Sequence, residues 1–376
     1  MPRVRRSLVA PNGVSVTLHC YTRCVRGTHL CGYDKQAKKD YSHRRQWLQS
    51  RLEFLAAVFA IDILGFAVMG NHFHLICRTR PEIAANWSDR EVARRWNLLF
   101  PKKSGSQKSS DTVLSAERLI ELLGDNVSQQ TTRADELRTR FQSISWFMKC
   151  LCEDVAKRAN KEDGVTGAFW EGRFKSQKLL DEQAILACSV YVDLNPIRAA
   201  VAETPEESQY TGIYERVGME SMKKREGRTA RNGSRLSTRR QCFLTPVKLP
   251  SRLPIGSNGR EDRLMISNSK QRASDKGFLS CSLLKYLRLL DWTGRVIRTD
   301  KRGTIPKGLT PVLERLDLEA ESWFDTIRDF KLQKGWAVGR RNSVEQELLR
   351  VGRKWIRGST AIGTSNKGRI PASGVA

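Results

Sequence analysis

The chain of 376 residues has no apolar run long enough to span a bilayer, so a helical membrane protein is excluded as a reading. Its start, Met1-Pro-Arg-Val-Arg-Arg6, is basic but lacks a following apolar stretch with a cleavage site, and the expectation is a soluble, cytoplasmic protein. Paired C-x2-C knuckles are missing, and the nine cysteines are odd in number and scattered, which fits reduced thiols better than a disulfide framework. Cys20-x3-Cys24-x6-Cys31, with His19 and His29 interleaved, is therefore read as ordinary strand sequence and not as a zinc site. There is no internal repeat. Acidic residues are in short supply: 40 stand against 66 basic ones, a net charge of +26 with a pI near 10.1. An excess of that size costs self-repulsion and is most simply explained by a polyanionic partner, nucleic acid ahead of an anionic membrane surface.

Histidine is scarce as well, five in all, and two of the five form the triplet His72-Phe73-His74. Its flanks, Ile61 to Gly70 and Asn71 to Cys77, are apolar, β-branched and aromatic runs meeting at a Gly-Asn pair, the pattern of a β-hairpin. Two imidazoles at i and i+2 on a strand point the same way and can share one metal ion. Upstream, Val14 to Val25 reads as a first strand, and Leu48, Leu52, Leu55, Ala56 and Phe59 recur at helical spacing over about 41 to 60. Ser88-Asp-Arg-Glu91 has capping-box spacing ahead of a surface helix. Residues 101 to 111 are polar and turn-rich, an exposed loop. Ile144 to Asn160 is a long basic amphipathic helix, with Lys149, Lys157 and Arg158 off its apolar side.

The glycines and aromatics of Gly167 to Lys175 break the helical period and lead into a strand ending near Leu180. Asp181 is a good N-cap for the helix that follows, and Pro196 marks its end or a kink. Residues 221 to 276 carry 15 Lys and Arg against 4 Asp and Glu, a net of +11, with the composition of an unfolded polybasic linker. Order is expected again from Leu283 to Trp292, through a helix start at Thr310-Pro311 and a capping box at Ser343-Val-Glu-Gln346. The organisation read from this is a basic arm over 1–13, a main domain over 14–212, a basic linker over 213–279 and a helical C-terminal region over 280–376.

Two histidines leave a metal site incomplete, because a divalent ion in an N/O site needs a third protein ligand and open positions for substrate. On a helix after Asp181, Tyr191 and Asn195 lie at i and i+4 and face the same way. An amide oxygen could then reach the metal while the phenol attacks a phosphodiester, giving a 5′-phosphotyrosine and a free 3′ hydroxyl. Taken alone, Trp170, Arg173 and Phe174 read equally as core aromatics with a surface arginine or as a clamp that stacks on unpaired bases. His19 and His43 read as structural.

Three motifs in order, Met69-Gly-Asn-His-Phe-His-Leu75, Phe169-Trp-Glu-Gly-Arg-Phe174 and Tyr191-Val-Asp-Leu-Asn-Pro-Ile-Arg198, resemble the IS200-like single-tyrosine transposases. The likeness is greatest to their REP-associated branch, within the HUH endonuclease class, and covers about residues 14 to 212. It implies an α+β fold, a ferredoxin-like or RRM-like antiparallel sheet with helices packed on it. In that mapping His72, His74 and Asn195 are metal ligands for Mg²⁺ or Mn²⁺, and Tyr191 is the nucleophile. Trp170, Arg173, Phe174, Lys149, Lys157 and Arg158 are the DNA-binding candidates. The implied partner is single-stranded or hairpin DNA, with both a monomer and a homodimer open. Gly70 stands where many members carry proline, and the basic linker and helical tail fall outside the usual domain. Two other functions compete: a domesticated hairpin binder without useful catalysis, and an RRM-like RNA binder, whose aromatic signature strand is not visible.

Overall fold

The computed structural model describes residues 4–25, 29–35, 38–101, 116–123, 127–218, 243–248, 276–297 and 335–353, with a few further positions between 323 and 371. The fold opens with β1 (Thr17–Arg23), α1 (Arg44–Val58) and the hairpin β2 (Ile61–Val68) and β3 (His72–Thr79). Helices α2 (Asp89–Leu99), α3 (Val127–Phe141) and α4 (Ile144–Asp163) follow, then β4 (Lys175–Leu179) and α5 (Glu182–Asp193). The C-terminal region adds α6 (Leu283–Ile297), β5 (Ala337–Val338) and α7 (Arg341–Val351). The strands form one sheet in the order β2-β3-β1-β4-β5, antiparallel except for the last pair. With α1 between β1 and β2 and helices between β3 and β4, the first four strands make the split β-α-β arrangement of a ferredoxin-like α+β fold.

Both faces of the sheet are covered, which is why β2 is buried at all eight positions and does not alternate. On one face, Leu18, Cys20, Phe73, Leu75 and Cys77 pack against Leu48, Leu52 and Leu55 of α1 and Phe147, Leu151 and Val155 of α4. On the other, Leu64, Ala67 and Ile76 pack against Leu186 and Val190 of α5, which is covered in turn by Tyr286, Leu289 and Trp292 of α6. Ten of the twelve residues of α5 are buried. A helix enclosed on two sides has no polar face to show in its sequence.

The local signals act where the sequence places them. Ser88 Oγ accepts from the Glu91 N–H at 3.3 Å, and Asp181 Oδ1 accepts from the Ala184 N–H at 2.9 Å. Asp181 Oδ2 accepts from the Arg340 N–H at 2.6 Å and ties the start of α5 to the start of α7. Arg340 is the N-cap of α7, so Ser343 lies inside its first turn and not at its cap. After α5, Leu194 is the C-cap and a single turn, Asn195–Arg198, begins with Pro196 in its first turn, where a missing N–H costs nothing. The hairpin turn closes with the Met69 N–H donating to the His72 carbonyl at 2.8 Å.

Within the polybasic run, residues 243–248 lie along the edge of β2, with the Thr245 N–H donating to the Ile63 carbonyl at 2.8 Å and Phe243, Leu244 and Val247 buried. Residues 221–242 and 249–275, the loop beyond Pro101 and the Thr310-Pro311 step lie outside the described residues. Among the described residues no helix is long and apolar enough to cross a membrane.

Candidate active site

The strand register assembles the site in rows. His72 pairs with Arg23 and His74 with Tyr21 across β3 and β1, while across β1 and β4 Tyr21 pairs with Lys175 and His19 with Gln177. Directly paired residues share a face, so one face carries Arg23 and His72, then Lys175, Tyr21 and His74, then Gln177, His19 and Ile76. Exposure falls along these rows: Arg23 and Lys175 are exposed, His72 is half-buried, and His74 and His19 are buried.

Tyr191 meets this face from α5. Its ring lies edge-on to His74 with centroids 5.6 Å apart and edge-on to His19 at 6.2 Å, while His72 and His74 are 5.0 Å apart. The Asn195 side chain lies one turn along, close enough to the phenol to act on its acidity, and its Nδ2 is buried without a hydrogen-bond partner among the described residues. Phe330 closes the far side, with its ring 5.1 Å from Tyr191 and 6.1 Å from His19, and leaves Tyr191 only 7 % exposed.

The ring nitrogens are partitioned. His72 Nδ1 lies 2.7 Å from Asn71 Oδ1, and because a carboxamide oxygen only accepts, the ring donates from Nδ1 and keeps its lone pair on Nε2. His74 Nδ1 lies 2.9 Å from His19 Nε2, and His74 Nε2 is buried without a hydrogen-bond partner among the described residues. Burial holds the His19 imidazole down to about 4. Burial, helped by Arg23, does the same at His72, also to about 4. His74 sits well below the ordinary value, through burial first and then His19, His72 and Arg23. All three rings are neutral at pH 7. Burial pushes the Tyr191 phenol up, opposed by the nearby Asn195 amide and by the Arg198 guanidinium, 5.7 Å from the ring centroid.

Neutral imidazoles with free lone pairs are the form that binds metal, and the buried, unpartnered His74 Nε2 is a ligand atom in want of a partner. Among the described residues no group of three or more His, Cys, Asp or Glu side chains is arranged to hold an ion. Two imidazoles with one amide oxygen, such as that of Asn195 one turn beyond Tyr191, would suit a divalent ion that fills its remaining positions with water and phosphate oxygens.

The other DNA-binding candidates do not converge on this face. Trp170 packs against Phe73 and Phe169 on the α1/α4 side and donates from Nε1 to the Cys152 carbonyl at 2.9 Å. Phe174 is buried under the Arg6 guanidinium, 3.7 Å above its ring. Arg173 is exposed, in the segment that leads from α4 into β4 and passes beside the end of β1 through the Cys24–Trp170 bridge. Lys149, Lys157 and Arg158 are exposed on α4, across the sheet from the histidines; Lys157 pairs with Glu153 at 2.6 Å, Lys149 stacks on Trp146 and Arg158 on Trp47. His43 pairs with Glu162 at 3.1 Å, away from the site. Sequence reasoning missed Arg23, Tyr21, Lys175 and the contact made by His19. The signal was present: His19, Tyr21 and Arg23 alternate along β1 with the same period as His72 and His74.

Compared with known proteins, the chain matches no family model and no curated protein. Among solved structures it is similar to one described as the REP-associated tyrosine transposase bound to a REP hairpin. The identity is 11%, over 58% of this chain and 86% of that chain, with a TM-score of 0.29. At that TM-score the likeness assigns no role to any residue here.

Proposed function

We propose that this chain cuts and rejoins single-stranded DNA beside a hairpin through a covalent 5′-phosphotyrosine on Tyr191, with Mg²⁺ or Mn²⁺ held by His72, His74 and Asn195. One observation carries it: the Tyr191 ring, with Asn195 one turn along, stands edge-on to His74 on the sheet face that also presents His72. The three-motif resemblance supplies the hairpin and the single strand, and the net charge of +26 suits a polyanion. When bound, the ion polarises the phosphodiester and stabilises charge on the leaving oxygen.

The chain's own residues do the rest. His72 and His74 stay neutral through burial and so offer lone pairs at working pH. Asn195 and Arg198 favour the phenolate against the burial that opposes it. Tyr191 Oη forms a bond to phosphorus as the P–O3′ bond breaks. The phenolic proton passes to solvent, and the departing 3′ oxygen takes up a proton to become a hydroxyl. Attack by a 3′ hydroxyl on the phosphotyrosine reverses each step and rejoins the strand. Arg23 and Lys175, exposed at the outer rows, meet the phosphates of the strand as it enters, and Arg173 extends that edge.

The test is incubation of the protein with end-labelled single-stranded hairpin DNA and Mg²⁺ or Mn²⁺, followed by a denaturing gel. A labelled adduct that needs the ion is expected; an adduct formed equally well with chelator sinks the metal role. The Phe330 ring over Tyr191 favours a second reading, a hairpin-binding protein whose phenol stays covered. Tight binding with no adduct on any hairpin moves that reading ahead.

A further inference from the structure

His19 lies outside the proposed ligand set, yet its ring meets a candidate histidine ligand nitrogen to nitrogen at hydrogen-bond distance. Its Nε2 is 2.9 Å from His74 Nδ1, both rings are buried, and the planes are 17° apart with centroids at 5.1 Å. Tyr21 stacks on His19 at 5.4 Å, Tyr191 and Phe330 close two further sides, and the ring has no freedom to turn away. Two neutral imidazoles in such contact share one proton, so only two arrangements exist. In the first, His19 Nε2–H donates to His74 Nδ1, and His74 carries its own proton on Nε2, where it blocks a metal. In the second, His74 Nδ1–H donates to His19 Nε2, and the His74 Nε2 lone pair is free.

Resting on the metal reading above, we propose that His19 is a positioning residue that accepts the His74 Nδ1 proton and thereby presents His74 Nε2 to a divalent ion. The neighbouring ligand shows the same plan by other means, since Asn71 Oδ1 accepts from His72 Nδ1 at 2.7 Å and leaves His72 Nε2 open. A partner on the far nitrogen fixes both the tautomer and the ring plane of a metal-binding histidine and raises its basicity. Without an ion, either arrangement strands one buried N–H and one buried lone pair, because His19 Nδ1 and His74 Nε2 both lack partners among the described residues. An ion on His74 Nε2 uses the lone pair of the second arrangement and selects it. His19 cannot serve as the third ligand of that ion through Nε2, which is committed to the opposite side of the His74 ring.

The full-length protein with ¹⁵N-labelled histidine gives the first readout. Long-range ¹H–¹⁵N correlation in the presence of Mg²⁺ should show His74 protonated on Nδ1 and His19 accepting on Nε2; a proton on His74 Nε2 overturns the assignment without any variant having to fold. The second readout is Mn²⁺ affinity by titration, with no DNA present. His19→Leu should weaken binding about 10- to 100-fold, whereas His19→Gln, which keeps an acceptor near the Nε2 position, should stay within a few-fold of wild type. Unchanged affinity in a folded His19→Leu overturns the role of His19 and leaves the metal reading standing. A wild-type protein that binds no Mn²⁺ overturns the metal reading, and this one with it.

Discussion

The Tyr191 ring stands edge-on to the His74 imidazole, with centroids 5.6 Å apart and planes at 87°. One side chain comes from a sheet strand and the other from a helix laid over it, and the contact exists only because β3 and α5 pack face to face. It places the Tyr191 ring beside a buried histidine whose Nε2 has no hydrogen-bond partner among the described residues. The predictions below turn on this contact and on the side chains around it.

Tyr191→Phe removes the hydroxyl and keeps the ring against His74 and Phe330. Covalent adduct with end-labelled hairpin DNA should disappear, while stability stays within about 1 kcal/mol of wild type because the ring packing is kept. Denaturing gels and a urea titration check the two halves. An adduct that survives the substitution refutes the nucleophile.

Arg23→Ala and Lys175→Ala should each weaken binding of single-stranded DNA without changing the strand sequence preferred. If each side chain neutralises one phosphate, the slope of log affinity against log salt should fall by about 0.7 per substitution. Fluorescence anisotropy over a salt series measures it. A slope unchanged in the double variant removes this edge from the DNA path.

Phe330→Ala uncovers the phenol. Adduct formation should accelerate several-fold, since Phe330 packs on the Tyr191 ring and carries no ligand atom. Single-turnover kinetics with saturating DNA provide the rate. A slower reaction would mean that Phe330 supports the ring and does not obstruct it.

Acid stability carries two opposed contributions. Histidines held near 4 in the fold but near 6.5 when unfolded take up protons preferentially in the unfolded chain, so stability falls as pH drops from about 6.5 toward 4. Asp193 works against this. Burial pushes its carboxyl up to about 6 despite Arg216 and the 2.5 Å hydrogen bond from Tyr286 Oη. The folded state then binds the extra proton, and that stability is present below about 4 and lost as pH rises through about 6. A shift of this size is worth on the order of 3 kcal/mol. Asp193→Asn should therefore make the loss of stability on acidification steeper, read as urea midpoints between pH 4 and 7. An unchanged slope refutes the raised carboxyl.

The hairpin, the caps at Ser88 and Asp181, and the ends of α1 and α4 were legible in the sequence because each depends on neighbours within a few residues. The histidine pair and the i, i+4 spacing of Tyr191 and Asn195 were legible for the same reason. The roles of Trp170 and Phe174 were not, since an aromatic beside an arginine has the same local signature in a core as on a base-stacking surface. Their burial follows from what α4 and the N-terminal residues bring against them.

What the sequence by itself determined is the set of parts: an α+β succession of elements, a strongly basic charge, and two short segments with the right atoms for metal and phosphoester chemistry. Period and capping are local, and a local pattern survives in a one-dimensional reading. Only the tertiary structure decided that β1 lies beside β3, which turns an unremarkable His19 into the partner of His74 and sets Arg23 next to His72. Strand order and helix packing likewise decided that α5 is covered by α6 and that Phe330 sits on the phenol. These are contacts between residues distant in the chain, selected by burial of apolar surface on both faces of one sheet, and no pattern along the sequence encodes which distant partner wins.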